Sequence, residues 1–267
     1  MINEKSDFIS EEQLKKYAEL AVQVGVNVQP NQLVIIHSDI EHVTLARLVQ
    51  KAAYEAGASN VVIDWTDEQS TQAFYLHAKD EAIDYFPEWQ VARFKEWNEL
   101  GAAYIRIISE NPDVSKDVSK DRISRFQKLS RAKLNFYYAK TRSYEVRWCL
   151  LVTPSSSWAA KLFPNLSNEQ ALQTLWEFIL QGARADGINP IKNWEVHGKV
   201  FESRKKFLNK NQFESLHFAN SRGTDLLVGM PKNHCYLGGE VRDKKGIPFY
   251  PNIPPLKKSL LLLINLR

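Results

Sequence analysis

The feature that most constrains the fold is a pair of short apolar runs flanking one amphipathic segment. Leu33-Val34-Ile35-Ile36 is continuously apolar, as a strand buried on both faces must be. From Glu41 to Glu55, Val43, Leu45, Ala46, Val49, Ala52 and Ala53 recur at helical spacing, and Gly57 stands where a helix cap is wanted. Asn60 to Trp65 is the next strand. Strand, helix, glycine and strand within about thirty residues make a βαβ unit, which requires parallel strands and a right-handed crossover.

The alternation extends in both directions. Ser10, followed by Glu11 and Glu12, is a helix start. Leu14, Tyr17, Ala18 and Ala21 give that helix an apolar face running to Gly25. Helical segments through His77, Phe86 and Phe94 precede a strand at Ala103 to Ile108. A long helix is expected over Asp121 to Lys140, a fourth strand over Val146 to Val152, and another helix over Asn168 to Gln181. Near Trp194 the alternation is expected to give way to short strands. The fold class is therefore α/β: a doubly wound, mostly parallel sheet domain over residues 1–195, followed by the start of a β-rich domain over 196–254.

Composition narrows the function. Hydrophobic residues make up 44% and charged residues 25% of the 267, the balance of a soluble globular protein. Lys+Arg 35 against Asp+Glu 31 leaves +4, with no basic stripe interleaved with aromatics, so no nucleic-acid partner is expected. The longest apolar run, Leu260 to Ile264, is too short to span a bilayer, so no membrane partner is expected. The N-terminus is polar and acidic, unlike a secretory signal, and Cys149 and Cys235 lack zinc or redox spacing. A cytoplasmic protein with two reduced thiols is the expectation.

Several chemistries lack their motifs. The turn after the first strand is His37-Ser38-Asp39-Ile40-Glu41, with no G-x-G-x-x-G to admit a pyrophosphate and two carboxylates that would repel one. Neither a Walker loop nor G-x-S-x-G is present, and none of the six histidines has a local zinc spacing. A nucleotide-dependent enzyme has only the βαβ pattern behind it. His37 and His42 flank a helix start at a strand's C-terminal end, and their plainest reading is as polar loop and cap residues. His197, three residues after Trp194, reads as a polar tip packed at the domain junction.

The segment from His217 to Pro254 carries an ordered set: Gly223-Thr224-Asp225-Leu226, Val228, Pro231, His234, Gly238-Gly239, then Lys245-Gly246, Pro248-Phe249, Asn252 and Pro254. Strands are expected on either side of a turn at Ser221-Arg222-Gly223, followed by a glycine-punctuated loop. Upstream, Thr153, Pro154, Trp158, Ala159, Phe163, Pro164, Leu175, Trp176, Trp194 and His197 follow the same family order. Together these resemble the thermophilic-type metallo-aminopeptidases, the family of aminopeptidases T, S and PepS.

The resemblance implies a metal-dependent aminopeptidase that hydrolyses N-terminal residues from peptide substrates with two divalent metal ions of the zinc or cobalt class, acting as a homodimer. It also implies that His234, Gly238 and Gly239 form a loop walling the substrate cavity. In the family this segment continues Pro-Thr-Glu-Glu-Val-Phe-Thr, whose glutamate is the first ligand of the metal centre. Here Leu256 and Lys257 follow Pro254-Pro255, and neither can ligate a dication. No catalytic residue or metal ligand is therefore assigned on this chain, and none of these metals is expected to bind it alone. A one-base shift of codons for Thr-Glu-Glu-Val-Phe-Thr can read Leu-Lys-Lys-Ser-Leu-Leu, the sequence at Leu256 to Leu261, so 255–267 is expected to be a frameshifted tail. The alternative is a non-catalytic α/β binding or assembly module. On either reading the chain after about residue 200 is expected to be poorly packed.

Overall fold

A computed structural model describes residues 9–109 and 117–253. In chain order it comprises α1 (Glu11–Leu20), β1 (Leu33–Asp39), α2 (Val43–Glu55), β2 (Asn60–Thr66), α3 (Glu68–His77), α4 (Asp80–Ile83) and α5 (Glu88–Glu99). There follow β3 (Ala103–Ile108), α6 (Lys120–Lys133), α7 (Asn135–Arg142), β4 (Trp148–Val152), α8 (Ser156–Leu162), α9 (Asn168–Gly182) and α10 (Pro190–Asn211). Two small antiparallel pairs close the order: β5 (Ser215–Ala219) with β6 (Asp225–Gly229), and β7 (Val241–Arg242) with β8 (Pro248–Phe249).

The first four strands form one parallel sheet in the order β2-β1-β3-β4. Ile35 lies opposite both Val62 and Tyr104, and Tyr104 opposite Trp148. Because side chains alternate along a strand, the apolar run in β1 supplies both faces. Val34 and Ile36 join Ile105, Ile107, Cys149 and Leu151 in a core covered by α1, α2 and α9. Leu33 and Ile35 join Tyr104 in a second core with Phe86, Phe94, Trp97 and Leu134, covered by α5, α6 and α7. Helices on both faces make the sheet doubly wound, as the α/β pattern required.

The first helix starts as expected, Ser10 and Gln13 completing a capping box. Its Tyr17, wholly buried, donates through its hydroxyl to the Val152 carbonyl (3.0 Å) and accepts from the Val152 amide (3.1 Å). Burial pushes that phenol's pKa upward, so it stays a neutral two-way clamp between α1 and the end of β4. A π turn over Ala21–Gly25 follows. A Cβ on Gly25 would lie 2.6 Å from Cys149 Sγ, so only glycine fits where this turn crosses β4.

Three expectations need correction. The helix expected over Asp121 to Lys140 is two helices, broken at Leu134 (φ −98°, ψ 16°), whose side chain turns into the second core. Where short strands were expected after Trp194, α10 runs for 22 residues. Asn189 caps it by accepting from the Lys192 amide, Pro190 pre-sets its first turn, and Gln212 ends it in the left-handed region at φ 45°. The segment after residue 200 is also only partly loose. The β5–β6 hairpin is open to solvent, with Leu227 67% exposed, but Phe249 and Ile253 are buried.

That second burial has a cause in the sheet. β4 would otherwise be an edge strand, and the late chain returns to cover it. The Leu150 amide donates to the Pro251 carbonyl (2.9 Å), and Leu150 and Asn252 form a parallel bridge. The Tyr250 amide donates to the Gly25 carbonyl (2.9 Å), and Asn27 Nδ2 to the Pro248 carbonyl (2.8 Å). Arg147, its side chain only 4% exposed, pairs with Asp243 at 3.3 Å and also donates to Gln32. Residues 255–267 lie outside the described residues.

Two substitutions test this closure by urea denaturation. Ile253→Ala removes a buried side chain from the first core and is expected to cost about 2–5 kcal/mol. Tyr17→Phe leaves both Val152 backbone groups buried and unpaired, and is expected to cost about 1–3 kcal/mol.

Candidate functional site

The loop carrying His234, Gly238 and Gly239 lies along the C-terminal half of α10. Asn209 holds it through the Tyr236 backbone, donating to the carbonyl (3.0 Å) and accepting from the amide (2.7 Å). Gln212 Nε2 donates to the His234 carbonyl (3.0 Å). The loop backbone is left-handed at Asn233, Gly238 and Gly239. Both glycines lie on the Phe201 ring, and a Cβ on Gly239 would stand 3.0 Å from its Cδ1.

His234 is held as one tautomer. Its Nδ1–H donates to the Pro231 carbonyl (2.9 Å), which makes Nε2 an acceptor in the neutral ring. That Nε2 is buried without a hydrogen-bond partner among the described residues, and so is the Tyr236 hydroxyl, while the two rings meet edge to face at 5.0 Å. The loop thus holds two unspent polar groups beside each other on a backbone fixed by α10.

Further back along α10, His197 packs edge-on between Trp194 (5.5 Å) and Phe201 (5.4 Å). Burial first, then the nearby Arg184 and Arg204, lowers its pKa to about 4, so the ring is neutral at pH 7. Trp194 also meets Tyr250 at 5.1 Å. This aromatic seam joins α10 to the chain that closes the sheet.

A second polar cluster occupies the C-terminal ends of β1 and β2. His37 is a strand residue, not a loop or cap residue. Its Nδ1 donates to Asp64 Oδ2 (3.0 Å), which is its register partner on β2. Arg93 of α5 donates to both Asp64 oxygens at 2.8 and 3.2 Å, and its guanidinium lies over Trp97 (4.7 Å). Burial opposes ionisation of Asp64, but the His37 and Arg93 partners outweigh it and hold the carboxyl below its ordinary value. Asp64 and Arg93 were not singled out in the sequence. Their only signal was that parallel neighbours β1 and β2 place His37 and Asp64 in one row.

Among the described residues, no group of three or more His, Cys, Asp or Glu is placed to hold a metal ion. The two clusters above are a His–Tyr pair and a His–Asp–Arg triad, neither a divalent-metal ligand set. No catalytic step through a metal is derived for these residues.

Residues 10–256 match the family model described as thermophilic metalloprotease (M29). Aminopeptidase AmpS of Bacillus subtilis is 35% identical over 243 residues, covering 91% of this chain and 59% of its own length. Aminopeptidase 2 of Geobacillus stearothermophilus is 36% identical over 244 residues, with the same shares. Aminopeptidase T of Thermus thermophilus is 32% identical over 241 residues, 90% of this chain and 59% of that one. The solved structure of wild-type AmpT from Thermus thermophilus superposes with a TM-score of 0.82 at 30% identity, over 91% of this chain and 60% of that chain. The chain therefore spans about 59% of the length of these curated relatives.

Two outcomes are expected from these contacts. Gly239→Ala forces a side chain onto Phe201 at a φ of 77°, and should lower stability by about 1 kcal/mol or more in chemical denaturation. Asp64 has a folded-state pKa below its ordinary 3.8. Its contribution is thus full above that value and is lost as pH falls through the folded one. Stability measured against pH should fall less steeply on the acid side in Asp64→Asn than in the unaltered protein.

Proposed function

Because the chain belongs to the thermophilic metalloprotease (M29) family, we propose that it derives from a metal-dependent aminopeptidase that releases N-terminal residues from peptides. The observation that carries this reading is the match of residues 10–256 to the family model. In this reading residues 1–195 are the α/β domain, 196–254 begin the catalytic domain, and His234, Gly238 and Gly239 face the substrate cavity. The two divalent ions, of the zinc or cobalt class, would be held by residues other than those described. A homodimer in the cytoplasm completes the reading. No helix among the described residues is long and apolar enough to cross a membrane.

The 267 residues by themselves are inactive in this reading, which is supported by the lack of a metal-ligand group among the described residues. A second reading, a non-catalytic binding or assembly module, is favoured by the β5–β6 hairpin, whose Leu226 and Leu227 lie open to solvent.

The test is an aminopeptidase assay on the purified 267-residue chain with Zn²⁺ or Co²⁺ added, alongside the intact mass of the protein from its native source. The short chain is expected to release no N-terminal residue from a peptide. A native protein of the relatives' length, with metal-stimulated release, supports the aminopeptidase. Metal-dependent turnover by the short chain would overturn its assigned inactivity, and a native 267-residue product without turnover would favour the module.

A further inference from the structure

The β5–β6 hairpin has two unlike faces. Its register sets Leu216 opposite Val228 and Phe218 opposite Leu226, and because side chains alternate along a strand these four share one face. Ser215, His217, Ala219 and Asp225 lie on the other, where His217 Nε2 and Asp225 Oδ1 stand 2.6 Å apart and Leu227 is the large apolar residue. An antiparallel pair patterned in this way packs its apolar face and leaves the polar one to water.

The hairpin is preformed. Asn220 fixes its turn, accepting through Oδ1 from the Arg222 amide (2.9 Å) and the Thr224 amide (3.2 Å). The Met230 amide donates to the Glu214 carbonyl (2.8 Å) and extends the ladder past the strand ends. Yet the apolar face stands open: Leu226 is 52% and Val228 36% exposed, and Leu216 and Phe218 are half-buried. No third strand joins β5 or β6 among the described residues. A two-stranded ribbon needs its apolar face covered to be stable, so this face calls for a partner.

Chain length indicates the partner. The match to the family model takes in the hairpin, since it runs over residues 10–256. It nevertheless covers only 59% of AmpS and 60% of the solved AmpT chain, which leaves about two-fifths of each outside. The hairpin is thus a ribbon with an uncovered apolar face, in a chain that lacks a counterpart of that remaining polypeptide.

We infer that the face formed by Leu216, Phe218, Leu226 and Val228 is a docking surface for the remaining two-fifths of an M29-family polypeptide, and that it takes this partner even as a separate chain. The inference rests on the family reading above. Covalent connection is not required, because the contact is apolar burial on a face already held by its own turn, which loses little conformational entropy on docking. The unpaired edge of β6 offers the same partner backbone hydrogen bonds.

The experiment co-expresses the tagged 267-residue chain with the part of Bacillus subtilis AmpS outside its match. Three quantities are read: co-purification of that part, deuterium uptake by the β6 amides against the chain alone, and release of N-terminal residues from a peptide with Zn²⁺ or Co²⁺. A complex is expected, with β6 exchange slowed about tenfold or more. Leu226→Lys combined with Val228→Lys should abolish it. Both side chains are exposed, so the variant should keep the parent's near-UV circular dichroism, which is checked alongside. Absence of a complex, an undiminished complex with the lysine variant, or unprotected β6 amides would each overturn the proposal. So would self-association of the chain alone that the lysine pair abolishes, which gives the face to a second copy. Peptide release is scored separately: a β6-protected complex without turnover keeps the docking surface and counts against the aminopeptidase reading, and turnover without β6 protection does the reverse.

Discussion

The structure depends on how the outer edge of β4 is covered. A parallel strand buried on both faces cannot leave its amides and carbonyls unpaired, and β4 ends the sheet. The chain meets this with residues about a hundred positions later, when Leu150 donates to Pro251 and Ile253 enters the first core. The same return reaches the π turn after α1 through Tyr250 and Gly25. The π turn, β4 and the late chain thus meet around Gly25, Cys149 and Ile253. The thiol there is sealed from solvent, and its pKa is raised to about 12 by that burial. It is a packing atom and not a reactive one.

Much of this architecture was legible because it is local. The run Leu33 to Ile36 could only be a doubly buried strand, and it supplies one residue after another to opposite cores. Ser10 and Gly57 marked the ends of helices in the places the structure shows. What escaped was non-local or balanced. The break at Leu134 depends on the second core pulling one leucine inward, which helical spacing in a charged segment does not announce. α10 carries many lysines and aromatics with weak periodicity, and Trp194 looked like the beginning of something new. In fact it lies in the helix's second turn, with its indole donating to the Ala183 carbonyl.

The sites divide in the same way. His234, Gly238 and Gly239 were singled out from a resemblance, and their side chains and backbone do share one loop. The partners that fix that loop, Asn209 and Gln212, come from a helix end that was not anticipated. Asp64 and Arg93 required the register of β1 on β2 and the approach of α5, neither of which is written in residue order. Among the described residues two ion pairs stand out of full solvent: Asp243 with Arg147, nearly buried, and Asp64 with Arg93, partly so. Each joins elements distant in sequence, so removing one partner would strand the other in a poorly solvated place.

The late return to β4 also bears on the order of events during synthesis. Until Pro251 and Ile253 leave the ribosome, the sheet has an open edge and its first core lacks a wall. Helix-rich segments between them can form early, because their contacts are close in sequence. The sheet's final closure cannot. The sheet of β1 to β4 therefore waits on Pro251 and Ile253 to finish, and any factor that shields a nascent strand edge would act in that interval.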